Sequence, residues 1–115
     1  MFEHPLEERC HQFGKRTRVF CRKIKKDLAN IEDIKQLVRA SGSVGANYIE
    51  ANESIGDKDS KMKIRTCRRE SKEASYWLRL VLTDESESQE AQRKFLRQEA
   101  KEFILIFTAI LKKRE

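Results

Sequence analysis

The sequence predicts an all-α protein, an antiparallel up-down-up-down four-helix bundle forming a single domain. Three observations predict it. Apolar residues recur at steps of three and four through four separate stretches, the period of a helix with one buried face. The breaks between these stretches are short and polar, and short links make consecutive helices antiparallel neighbours. The 115 residues include one proline, Pro5, and four glycines, which suits long helices better than a turn-rich sheet.

The first helix is predicted over residues 5–29. Leu6, Cys10, Phe13, Thr17, Phe20, Cys21, Ile24 and Leu28 form its apolar stripe, and Pro5 suits a first helical turn. Asn30 has the chemistry of an N-cap for a second helix over 31–54, with Glu32 and Asp33 where the helix dipole favours acids. Gly56 is expected to close that helix in a left-handed conformation, and Asp57 to cap the third, over 58–83. Ile64, Cys67, Ser71, Ala74, Leu78 and Val81 give the third stripe. Ser86 or Ser88 can cap the fourth helix, over 88–113, which ends on Lys112-Lys113-Arg114, where its dipole favours cations. Between Phe103 and Leu111 this last helix is apolar on nearly all sides. That predicts deep burial or contact with another subunit.

The second helix is the unusual one. Gly42 and Gly45 stand in its interior, and each glycine costs about 1 kcal/mol against alanine there. Close approach of a neighbouring helix is the simplest offset. Gln36, Arg39, Ser43, Asn47 and Glu50 fall on one stripe of the same helix. The stripe is either a hydrogen-bonded ladder that fixes register or a subunit contact, or the wall of a ligand groove. The structural reading asks for no ligand and is preferred. Arg69, Glu73 and Trp77 on the third helix join the same set of interface candidates, because buried polar groups need partners of opposite sign.

The net charge of +6 is unevenly spread: residues 1–30 hold eight cations against four acids, and residues 57–84 eight against five. Lys15, Arg16, Arg18, Arg22, Lys23, Lys25 and Lys26 follow one another with no acid among them. A solvated helix surface is the plainer reading of such a run. It is also the best candidate in the chain for contact with a polyanion such as nucleic acid. No aromatic side chain is interleaved on that basic face to stack bases.

Other chemistry finds little support. Both histidines lie within the first eleven residues, so no serine or carboxylate has a histidine at a catalytic or di-iron spacing. Neither HExxH nor a glycine-rich phosphate loop is present. Cys10, Cys21 and Cys67 lack CxxC spacing and read as small buried hydrophobes rather than metal ligands. No catalytic residue, metal or cofactor is expected. No apolar run reaches the roughly 18 residues of a membrane span and no signal peptide is evident, so a cytoplasmic protein is expected.

Two motifs carry a family resemblance. One is Gln36-Leu37-x-Arg39 with Ser43-Val44-Gly45-Ala46-Asn47-Tyr48-x-Glu50-Ala51 and Glu53-Ser54. The other runs Cys67-Arg68-Arg69-Glu70-Ser71-Lys72-Glu73-Ala74-Ser75-Tyr76-Trp77-Leu78-Arg79-Leu80. The chain resembles the 23S ribosomal RNA intervening-sequence proteins from about Leu6 to Lys113. Ala40 and Ala74 stand where serine is common in that family, and Ser60 where an aromatic is common. The resemblance implies a four-helix bundle assembling into a homopentamer, with no catalytic activity. A related branch, the accessory variability protein of diversity-generating retroelements, is a basic pentamer that binds nucleic acid and a reverse transcriptase. The expected function is therefore a non-enzymatic homo-oligomer that binds RNA or DNA, structured RNA first, possible partners including a reverse transcriptase. The alternative is a protein–protein scaffold with an incidental basic surface.

Overall fold

A computed structural model describes residues 5–114. It contains four helices: α1 (Pro5–Lys23), α2 (Leu28–Glu53), α3 (Asp57–Leu80) and α4 (Glu87–Lys113). Each packs on its chain neighbours, and α4 closes the ring against α1, where the packing is sparsest. The radius of gyration is 14.7 Å and the extents are 45 × 29 × 20 Å. The long axis follows the helices, since 27 residues at about 1.5 Å each span about 40 Å.

The predicted stripes form one core. Phe13, Phe20, Leu37, Val44, Leu78, Leu96, Phe103 and Phe107 are all fully buried. Phe13 meets Phe103 edge-on with centroids 5.3 Å apart, and Phe107 lies 5.9 Å from Tyr48. Those contacts tie α1 and α2 to α4 with the geometry aromatic pairs prefer. The buried hydroxyls of Thr17 and Ser71 donate back to Phe13 O and Cys67 O, 2.8 Å each. Neither needs a partner across the core.

The helix ends differ from the sequence-based expectation. The first helix stops at Lys23 rather than near residue 29. Asp27, not Asn30, caps α2: its Oδ1 accepts from Asn30 N at 2.9 Å. Asn30 is buried and does something else. Its Nδ2 donates to Lys25 O (2.7 Å) and Leu82 O (2.9 Å), and its Oδ1 accepts from Leu82 N (2.7 Å). It therefore clamps the α1–α2 link to the α3–α4 link. Gly56 has φ −101° and is the residue before α3, while Asp57 is inside the helix. The α2 end is extended backbone at Ser54, so no left-handed cap is needed. Ser86 caps α4 as expected, accepting from Gln89 N at 3.2 Å. Phe103–Leu111 is buried on one face only: Phe103, Phe107 and Leu111 point inward, whereas Leu105 is 63 % exposed.

The glycines mark where α1 crosses α2. A Cβ on Gly45 would stand 3.2 Å from Cys10 Cβ, and one on Gly14 3.6 Å from Ser41 O. Gly45 thus permits close approach within the subunit, the role its position in the sequence suggested.

Candidate nucleic-acid interface

Folding distributes the seven cations of Lys15–Lys26 around the molecule. The guanidinium of Arg16 lies 4.8 Å above the Phe95 ring, on the α4 side. Arg18 turns to α2, donating to Gly14 O (2.9 Å) and Val38 O (3.4 Å), and covers Gly42. The Lys26 ammonium donates to Arg22 O and Ile24 O at the end of α1. Lys25 lies 3.9 Å from Asp27. Lys15, Arg22 and Lys23 are exposed and form no ion pair among the described residues. Lys15 and Arg22 are seven residues apart and share one stripe. Lys15 also borders a groove of about 530 Å³ between α1 and α2, walled by Cys10, His11, Gly14, Gly45 and Ile49.

The α2 polar stripe divides as well. Arg39 bridges to α3, 2.9 Å from Glu73 and 3.3 Å from Glu70. Hydrogen bonding to Glu70 and the two carboxylate charges hold its guanidinium more firmly protonated than usual. Arg69 is more distant, 3.9 Å from Glu73 and 4.0 Å from Glu70. Glu50 pairs with Lys63 at 2.8 Å. Asn47 donates to Ser43 O in its own helix at 2.8 Å, and Gln36 is exposed. Arg39, Arg69, Glu70 and Glu73 therefore form one cluster on the α2–α3 seam, whereas the Asn47 amide turns back on its own helix. Two buried polar atoms on that side of α3 lack a partner, Glu70 Oε1 and Trp77 Nε1.

A second ion-pair seam, between α1 and α4, joins residues 90 apart and left no sequence signal. Arg9 holds Glu99 through two hydrogen bonds, 3.0 and 2.6 Å, and Glu102 at 2.7 Å. This arrangement is the fork that guanidinium makes with carboxylates. The bond from Arg9 lowers the Glu102 pKa. Arg9 also lies 5.4 Å over the Phe103 ring, so the pair seals the loosely packed α1–α4 edge.

The three thiols are buried and free. Burial pushes Cys10 and Cys67 up to about 12 and Cys21 up to about 11. They stay protonated at neutral pH, which disfavours nucleophilic or metal-ligand chemistry. Among the described residues, no group of three or more His, Cys, Asp or Glu side chains converges on a metal position. No helix there is long and apolar enough to cross a membrane.

Comparison with known proteins extends this description. A solved structure of a protein of unknown function from the S23 ribosomal protein family of Bacteroides thetaiotaomicron superposes with a TM-score of 0.76. The match covers 92 % of this chain and 97 % of that one at 23 % identity, so it establishes the four-helix fold. No curated protein matches. The family described as 23S rRNA-intervening sequence protein matches residues 6–108. These residues include both motifs, both ion-pair seams and the α1–α2 glycine crossing, and the chain belongs to the 23S rRNA-intervening sequence protein family.

Proposed function

We propose that this protein is a non-enzymatic homo-oligomer that binds nucleic acid, structured RNA first, through its basic helix faces. The observation that carries the reading is the surplus of cations left after the ion pairs are formed. Lys15, Arg22 and Lys23 stay exposed on α1 with no carboxylate against them. A net charge of +6 repeated in each copy attracts a polyanion and releases its counterions. The family's description ties its members to ribosomal RNA intervening sequences, which favours RNA over other polyanions.

Assembly is the second part of the reading, with a ring of five copies as its specific form. Exposed apolar side chains support it: Leu82, Phe95 and Leu105 are 56, 46 and 63 % exposed, and assembly would cover them. A reverse transcriptase is the narrower choice of protein partner, supported by the sequence resemblance alone. Light scattering tests assembly, and a monomeric mass at micromolar concentration refutes it. Filter binding of a structured RNA at low and high salt tests the rest. Binding that falls steeply with salt is expected, and no binding at low salt by the intact oligomer refutes the reading.

The scaffold reading has the same exposed apolar side chains in its favour. Reversing Lys15, Arg22 and Lys23 to Glu separates the two: RNA binding is lost under the first reading and cellular function is spared under the second.

A further inference from the structure

We infer that the seam between α3 and α4 is a groove for a single strand of nucleic acid, distinct from the α1 face and resting on the nucleic-acid reading above. The ion pairs sort the acids away from it. Glu70 and Glu73 of α3 turn to Arg39 on α2, and Glu99 and Glu102 of α4 turn to Arg9 on α1. A groove of about 680 Å³ remains between α3 and α4, bordered by Ser75, Lys94, Arg97 and Lys101. Its one carboxylate, Glu90, is taken up by Arg93 at 3.3 Å and by Thr83. Arg93 in turn donates to Leu78 O and Arg79 O at 2.8 and 2.9 Å, which fixes this end of α4 against α3.

Lys94, Arg97 and Lys101 are exposed and have no ion pair among the described residues. They lie three and four residues apart, so they form one line of about 10 Å along α4. Ser75 is the α3 residue that lines the groove, and Lys72 and Arg79, three and four residues from it, lie beside the groove on the α3 surface. Both are exposed and likewise unpaired among the described residues. Between them stands Tyr76, 55 % exposed and held edge-on by Trp77 at 5.0 Å.

Two parallel lines of cations with an exposed aromatic on one rim have the chemistry of a single-strand site. The cations take successive phosphates and the ring takes an unstacked base. A ring can stack only on a base freed from its pair, so the site suits a single strand rather than a duplex. This arrangement is the aromatic interleaving that the α1 run lacks.

The test is fluorescence anisotropy of the full chain with a labelled oligouridylate, and separately with an RNA duplex, across a salt series. Replacing Lys94, Arg97 and Lys101 by Gln should lower the slope of log affinity against log salt for the strand by about 2, at about 0.7 per phosphate contact. Tyr76→Leu keeps the contact with Trp77 and should weaken the strand about fivefold or more. Replacing Lys58, Lys112 and Lys113 by Gln removes the same charge from the start of α3 and the end of α4 and should leave the strand's slope nearly unchanged. Equal loss in the two triple variants means affinity follows net charge alone, and overturns the seam. So does a seam variant that dissociates the oligomer while binding the strand normally. A wild-type protein that binds neither probe refutes the nucleic-acid reading itself. Wild-type binding of duplex alone overturns only the single-strand groove.

Discussion

Asn30→Asp is nearly isosteric, and its effect follows from three bonds. The native amide donates to Lys25 O and Leu82 O while its oxygen accepts from Leu82 N. Aspartate keeps the acceptor and turns the donor into a second oxygen facing two carbonyls. Two hydrogen bonds go, at about 1 kcal/mol each net, and the stranded carbonyls and carboxylate add further desolvation cost, for a total of about 3–5 kcal/mol. In a domain of this size that lowers Tm by about 10–20 °C. Urea unfolding followed by circular dichroism reads the difference directly. The sign with pH is also defined. Burial against two carbonyls raises the folded pKa of the new carboxyl above its unfolded value of about 3.9. The folded state then binds its proton first, so the variant's deficit shrinks as pH falls toward about 4. A neutral acid can donate one of the lost bonds again. A loss below about 1 kcal/mol at neutral pH, or a deficit that grows on acidification, would refute the clamp.

Other substitutions probe the remaining seams. Gly45→Val should destabilise by about 1–3 kcal/mol through overpacking against Cys10, measured in the same urea series; a neutral result would show that α1 and α2 can separate freely there. Arg9→Met should cost about 1 kcal/mol, the pair being partly exposed and screened, and the cost should shrink in high salt. The same bond holds the Glu102 pKa down, so its contribution is present above the ordinary carboxylate range and is lost as pH falls through the lowered value. On the alkaline side, the buried thiols keep their protons up to about 11 or 12, whereas unfolded cysteine ionises near about 8.5. Stability should therefore decline as pH rises above that unfolded value, and thiol alkylation at mildly alkaline pH should be fast only after denaturant is added.

What the sequence by itself determined was the periodic part of the protein. Apolar spacing located four helices, and the stripe residues from Cys10 to Ile24 and from Ile64 to Val81 are buried, because a helix repeats its face every three to four residues whatever surrounds it; Leu28, beyond the end of α1, is 85 % exposed. The role of Gly45 was legible for a similar reason: a costly residue inside a helix implies a close neighbour, and Cys10 is that neighbour. Helix ends were less legible. Asp27 and Asn30 are both good caps in isolation, and only the position of Leu82, 52 residues away, decided which one capped and which one clamped. The basic run shows the same limit. Adjacent cations look like one patch on paper, but a helix turns each by about 100°, so Arg16 lies over Phe95 of α4, Arg18 faces α2, and Lys15, Arg22 and Lys23 are left without a partner among the described residues. The reverse holds for the α3–α4 seam, whose cations are scattered in the chain and become two facing lines only once the acids have turned to Arg9 and Arg39. Such pairing is a property of proximity between distant segments, which the bundle creates and local spacing cannot encode.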